Sequence, residues 1–201
     1  MNIAEKEALN SAAIHQLFLD ARSQNKWLDK PVTDRQLQAV YELAKWGPTS
    51  MNCSPMRVRF VRTSPAREML LQAVSPGNLD KVLTAPVVAI VAHDTRFFEK
   101  LPQLFPHRPD AGKVFEGNEN LAETTCFRNG SLQGGYLILA ARSLGLDCGP
   151  LSGFDHALVN DLFFDGTSLR VNFLCCIGYG DPDGLFPRSP RLDFDEACQV
   201  L

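Results

Sequence analysis

The chain reads as an α+β protein, a central mixed or antiparallel sheet flanked by helices, and three observations predict it. Apolar residues recur at helical spacing in several stretches, as in Leu37, Val40, Tyr41 and Ala44. Two stretches, "VVAIVA" from Val87 and "LRVNFLCCIGYG" from Leu169, have the strand length and apolar density of buried strands. The strand-like runs are also too far apart in sequence to be joined as hairpins, so helices must carry the connections.

Each element follows in order. Residues 5–21 carry the stripe Leu9, Ala13, Leu17 with Ile14, Phe18 and Ala21, which predicts a first helix. After the polar link "RSQNKWLDKP", Thr33 and Gln36 form a capping box for a second helix that stops at Gly47–Pro48. "VRFV" alternates as a half-buried strand. Ser64 followed by Pro65 starts a short helix to about Val74, and "NLDKVLTA" predicts another. Residues 94–118 are proline- and phenylalanine-rich without periodicity, and read as a long binding loop. One long helix runs from Glu119 to Leu144, closed by Gly145. Its Gly134, Gly135, Ala140 and Ala141 leave room for a second helix to pack close. Asp155 caps a helix to Phe163, and Asp165–Gly166 turns into the last strand. Residues 181–201 read as an arm with helical character only at its end. No repeat or internal boundary appears, so residues 1–201 are expected to form a single domain.

Composition narrows the function. A formal net charge of −3 and no clustered Lys/Arg stripe argue against a nucleic-acid partner. The longest purely apolar run, Val87–Ala92, is too short to span a bilayer, and the acidic, amphipathic N-terminus is no secretory signal, so a cytoplasmic protein is expected. Six cysteines show no CxxC pair and no clustering with histidine; reduced, structural thiols and no metal site are expected. There is no GxSxG, HExxH or P-loop. His15, His93, His107 and His156 are scattered and read as surface or packed residues. Asp155, Asp181 and Asp183 read as caps and turns. A thiol hydrolase built on Cys53 or Cys126 has only residue type in its favour.

What remains is a set of short polar loops at helix ends: Arg22 to Asn25, Thr49 to Ser54, Asn78 with Lys81, Ser152–Gly153, and Arg188 to Arg191. Singly, each is an ordinary loop. Together they offer guanidinium groups for a phosphate, short amide and hydroxyl donors for a heterocycle, and one lysine. The loop "GPTSMNCSP" is far richer in such groups than a turn requires.

These segments, "ARSQNKW", "WGPTSMNCSP", "NLDKVLTAPV", "GLDCGPLSGFD" and "IGYGDPDG…PRSPR", resemble in order and spacing the successive FMN-contact segments of the nitroreductase family. The resemblance spans about residues 10–198, and within the family it is nearest to the malonic semialdehyde reductases of the Rut pyrimidine-degradation pathway. It implies the nitroreductase fold as an intertwined homodimer, with each FMN at the interface and the arm reaching over the partner. Position by position it implies that Arg22 and Ser23 meet the phosphate or ring edge. Ser50, Asn52 and Ser54 reach in from the other subunit. Asn78 and Lys81 lie beside the flavin pyrimidine, Lys81 countering negative charge near N1–O2. Ser152 and Gly153 face the ring near its reactive nitrogen, and Arg188 or Arg191 binds the phosphate. Ala21, Asn25, Ser54 and Met56 depart from the family's usual residues, which weakens an expectation of nitroaromatic reduction.

The reading is therefore an FMN-dependent oxidoreductase that takes hydride from NADH or NADPH and passes it to a second substrate on flavin N5, with no protein nucleophile. The resemblance implies reduction of malonic semialdehyde to 3-hydroxypropionate, for which Arg57 or Arg108 would hold the carboxylate and Phe97, Phe98 and Phe105 would narrow the mouth. A general nitro, quinone or enone reductase is the alternative within the class. A thiol hydrolase and a non-catalytic ligand-binding module are the alternatives outside it.

Overall fold

The computed structural model describes residues 7–201; the first residues of the predicted N-terminal helix lie outside them. Asn10 caps α1 (Ser11–Ile14) by accepting from the Ala13 N–H, and the helix continues as a π-helical run, His15–Leu19. Thr33 and Gln36 form the expected capping box of α2 (Asp34–Ala44). Then follow β1 (Met56–Val61), α3 (Ser64–Leu71), α4 (Leu79–Thr84) and β2 (Val87–Asp94). The cap of α3 is Thr63, one residue earlier than the Ser64 expected, so Pro65 occupies the second helical position. After α5 (Leu101–Leu104), the long α6 (Glu119–Ser143) ends at Gly145, whose φ of 74° needs glycine. The chain closes with β3 (Asp147–Leu151), α7 (His156–Phe164) capped by Asp155, β4 (Leu169–Gly178) and α8 (Phe194–Ala197).

The sheet has the order β1-β2-β4-β3, and every pair is antiparallel. The two central strands are the two apolar runs of the sequence, which is why they lack polar alternation. Along β2, side chains alternate between two cores. Val88, Ile90 and Ala92 face Leu70, Val74, Val82, Phe163 and Phe164 of the α3–α4–α7 side. Val87, Ala89 and Val91 face Val40, Ala44, Leu137 and Ala141 of α2 and α6.

Two expectations need correction. Sequence reading passes over β3, because "DCGPL" holds glycine and proline; the strand lies at the sheet edge, where Pro150 needs no ladder donor. Residues 94–118 are not structureless either. They form two 3₁₀ turns, Phe97–Lys100 and Ala111–Val114, with α5 between them. Phe97, Leu101, Ala111 and Phe115 there bury a third small core with Cys53, Ala122 and Cys126.

The small residues of α6 divide their work. Ala140 and Ala141 pack toward α2, as expected for a helix contact. Gly134 instead makes room for a ring of the sheet, since a Cβ there would lie 2.6 Å from Phe173. Gly134→Ala gains about 1 kcal/mol of helix propensity but overpacks that contact by about 1–3 kcal/mol. A net loss of stability is expected in urea unfolding. An unchanged or raised midpoint would show that Phe173 moves aside without cost.

Candidate functional site

The segment after α1 runs extended along the β3 edge. Gln24 donates its backbone N–H to Cys148 O at 3.0 Å, and Ser23 bridges Cys148 in parallel. Farther on, Trp27 bridges Gly180 and sends its indole N–H to Lys81 O at 3.1 Å. This anchors α4 beneath the strand, and Arg67 caps its far end by donating to Leu83 O and Ala85 O. Lys81 is thereby held inward, only 8% exposed, with Nζ donating to Pro150 O at 3.3 Å. Among the described residues no carboxylate pairs with it. Burial pushes its pKa below the ordinary lysine value, against a smaller upward pull from Cys176 and Cys175.

Two glycines make room for side chains at this corner. A Cβ at Gly149 would stand 2.4 Å from Gln24 O and 2.6 Å from Lys81 Cε. A Cβ at Gly153 would stand 2.5 Å from Asn78 Nδ2, which donates instead to Gly153 O at 3.2 Å. Ser152 beside it is exposed. Of the predicted residues, Arg22, Ser23, Asn78, Lys81, Ser152 and Gly153 thus gather on one corner of the fold. The arm adds to it: Arg22 donates to Phe186 O at 2.5 Å, and Arg188 donates to Leu19 O at 2.6 Å and Ala21 O at 3.1 Å. Among the described residues Arg191 bonds only to the adjacent Ser189 and Pro190 carbonyls, so Arg188 is the arm residue brought to the corner.

Sequence reading counts Gln24 in the polar loop from Arg22 to Asn25 but gives it no role at the site. It is buried against Gly180, and its Oε1 has no hydrogen-bond partner among the described residues. Its residue type gave no signal, because the neighbouring Arg22, Ser23 and Asn25 are equally polar.

The loop with Ser50, Asn52 and Ser54 lies elsewhere. Its polar groups are turned to α6 and α5: Ser50 N–H donates to Asn129 Oδ1 at 2.8 Å, and Asn52 Nδ2 donates to Leu104 O at 2.8 Å. Ser54 N–H donates to Thr49 Oγ1 at 3.1 Å, and Gln133 Oε1 accepts from Met56 N–H at 2.9 Å. Asn129 and Gln133, buried polar residues not foreseen from the sequence, therefore hold both ends of the loop. Met51, Asn52 and Ser54 all have positive φ, at 51°, 51° and 39°. Such strain at three non-glycine positions marks a loop kept for a purpose. Registers separate it from Lys81. Met56 pairs with His93, whereas Gly149 pairs with Cys176 and through it Val88, five residues along and three strands across. That is about 20 Å at strand spacings.

The predicted substrate residues sort differently. Arg57 is committed: its Nη2 donates to Asp94 Oδ2 at 3.1 Å and its Nη1 to the Ser54 and Met56 carbonyls. It carries no unpaired charge for a carboxylate. Phe97 is fully buried, with Phe98 and Phe115 against it, so it builds core and narrows no mouth. Phe105 is half-buried on His107, and Arg108 is exposed; among the described residues its hydrogen bonds are backbone ones, its N–H donating to Phe105 O and its carbonyl accepting from the Ala111 N–H, so its guanidinium is uncommitted. The thiol alternative weakens too. Cys53 and Cys126 are buried, which pushes their pKa values to about 11 and about 12, too high for a thiolate nucleophile at neutral pH.

The nitroreductase family model matches residues 18–179. HadB of Ralstonia pickettii is 59% identical over 186 residues, 92% of this chain and 95% of that protein. A protein of Cupriavidus pinatubonensis is 58% identical over 189 residues, 93% of this chain and 96% of that one. Both carry the name "putative NADH dehydrogenase/NAD(P)H nitroreductase". Among solved structures, a nitroreductase-like protein of Bacillus subtilis superposes with TM-score 0.86 at 22% identity, covering 96% of this chain and 100% of that one. A nitroreductase-like protein of Exiguobacterium sibiricum, solved in complex with FMN, superposes with TM-score 0.82 at 17% identity, covering 98% and 99%.

The buried ammonium generates a prediction. The unfolded chain binds a proton at Lys81 more readily than the folded one, so the penalty is complete below the lowered folded pKa and fades as pH rises to the ordinary value near 10.5. In flavin-free protein, Lys81→Met should match or exceed the parent's melting temperature at pH 7, and the difference should shrink toward pH 10. A lower melting temperature for the variant at pH 7 would show that the cation is paired.

Proposed function

Because the chain belongs to the nitroreductase family, we propose that it is an FMN-dependent NAD(P)H oxidoreductase, built as one domain and acting as a cytoplasmic homodimer. The observation that carries this reading is Lys81, a buried cation that pairs with no carboxylate among the described residues, let into place by the missing side chain of Gly149 and sharing its corner with Asn78 and Gly153. That corner fits FMN. Lys81 would oppose the negative charge gained on reduction, Asn78 and the unpartnered Gln24 Oε1 offer an amide donor and an acceptor for a heterocycle edge, and Arg22 with Arg188 suit a phosphate. FMN, when bound, supplies the hydride relay between the nicotinamide and the second substrate. The chain's own residues bind, orient and polarise.

The separation of the two polar groups supports a dimer. A loop about 20 Å from Lys81 cannot complete the same pocket, but a partner's loop can. The outer face of α6, with Phe127, Leu132, Gly135, Tyr136 and Leu139 along a groove, is apolar enough to seat a partner. The arm, with Phe186, Leu192 and Phe194 exposed, is suited to reach over it. Ser50, Asn52 and Ser54 then belong to the partner's flavin.

For the substrate we propose malonic semialdehyde, reduced to 3-hydroxypropionate. Arg108 supports it, as the uncommitted guanidinium on the segment that Asn52 ties to the flavin loop through Leu104. The names of the relatives favour the second reading, a general nitro, quinone or enone reductase.

Purified protein should show a yellow flavin spectrum that NADH or NADPH bleaches. Lys81→Met should slow bleaching by about 2–4 kcal/mol of barrier, as for loss of one preorganised charge-stabilising donor, whereas Arg22→Ala should weaken FMN retention. Colourless protein that binds no added FMN would overturn the reading.

The substrate is tested by kcat/KM for the semialdehyde and for a nitroaromatic on one preparation. The semialdehyde should lead, and Arg108→Gln should raise its KM about tenfold, or 1.4 kcal/mol, while sparing the nitroaromatic. A tenfold lead for the nitroaromatic would select the general reductase.

A further inference from the structure

The fold brings together one mixed cluster that the proposed flavin chemistry leaves unused. His93 on β2, and Glu123 and Cys126 one turn apart on α6, place a ring nitrogen, a carboxylate oxygen and a thiol sulfur all within 4.8 Å of one another. His93 Nε2 lies 3.2 Å from Glu123 Oε1, and Cys126 Sγ lies 3.9 Å from Glu123 Oε2. We propose that His93, Glu123 and Cys126 bind a zinc-class divalent cation, with a fourth position open to an exchangeable water or anion.

The donor set is the first argument. Imidazole, carboxylate and thiolate are the three zinc ligand types, and three protein ligands with an open position form a recognised arrangement. Zinc–ligand bonds of about 2.0–2.3 Å set tetrahedral ligand atoms about 3.3–3.6 Å apart. His93 Nε2, at 3.2 Å from the carboxylate, is already close to such a separation, and Cys126 Sγ, at 3.9 Å from its other oxygen, has only a few tenths of an ångström to close.

Rigidity is the second. His93 is 2% exposed, packed beneath Gly130, where a Cβ would approach its Cβ to 3.0 Å, and edge-on to Phe127. Its Nδ1 is buried without a hydrogen-bond partner among the described residues, and its Nε2 contacts the carboxylate that would share the ion. Glu123, with a side chain 55% exposed in the single chain, borders both the α6 groove proposed to seat a partner and the cavity beside Arg170, so an ion would enter from the cavity side.

Charge is the third. Glu123 and a Cys126 thiolate balance a dication. Beyond them Asp94 and Arg170, of opposite sign, both act on His93, and the cavity of about 620 Å³ that Glu123 adjoins is lined by charges of both signs, Arg170 and Glu119 among them, with Arg96 paired to Glu99. Binding replaces the Cys126 S–H bond by a metal–sulfur bond and releases one proton to solvent. Affinity should therefore fall as pH falls.

The site is built within one chain and stands apart from Lys81, so it does not rest on the flavin assignment. The test is equilibrium dialysis of the full-length, flavin-loaded protein against Zn²⁺, with metal counted by mass spectrometry. One ion per chain is expected, with affinity lowered at least about tenfold in Glu123→Gln and in Cys126→Ser, and unchanged in Cys198→Ser, which removes the exposed thiol. Glu123→Gln alters a partly exposed side chain, and its melting curve reports whether it folds. Absence of saturable zinc in folded parent protein would overturn the proposal. So would zinc held equally well by folded Glu123→Gln and Cys126→Ser.

Discussion

The ammonium of Lys81 is buried under the β3 edge with a carbonyl oxygen as its recorded hydrogen-bond acceptor, and much of the surrounding structure serves to keep it there. Trp27 ties the lysine's own carbonyl, Arg67 caps α4, and Gly149 gives up its side chain to let the lysine pass. A cation so placed costs folding free energy unless an anion arrives. Stability is being exchanged for a site that responds to negative charge, the pattern expected where function and stability compete.

The same sheet that creates this corner prevents one chain from completing it. Antiparallel pairing puts β1 and β3 at opposite edges, with the polar loop at the far end of β1. Asn129 and Gln133 spend buried polar groups, and Met51, Asn52 and Ser54 accept unfavourable backbone angles, to hold that loop in shape. A partner seated on the apolar face of α6 would reconcile both facts.

How legible this was in the sequence depended on whether a signal was local. Capping residues such as Thr33 and Asp155, and the doubly buried run of β2, are local and were readable. β3 was not, because an edge strand tolerates the glycine and proline that argue against a strand. The polar corner was readable as separate loops, since Arg22, Asn78 and Lys81 each lie at an element end. What the sequence could not supply was their mutual placement. Arg188 and Arg191 are indistinguishable until the arm's path is known, and Arg57 looks available until Asp94 is seen to neutralise it. The His93–Glu123–Cys126 cluster joins residues from β2 and α6, so no spacing rule could have revealed it.

The central claim is that each site is completed by two chains, and a mixed dimer tests it most directly. Lys81→Met and a loop variant, Asn52→Ala with Ser54→Ala, would be co-expressed with different tags and the heterodimer isolated. If the loop serves the partner's site, one of the heterodimer's sites carries both lesions and the other none. Activity should then recover to about half the parent's, far above either variant homodimer. Heterodimer activity equal to the mean of the two homodimers would place loop and lysine in separate functions and contradict the account.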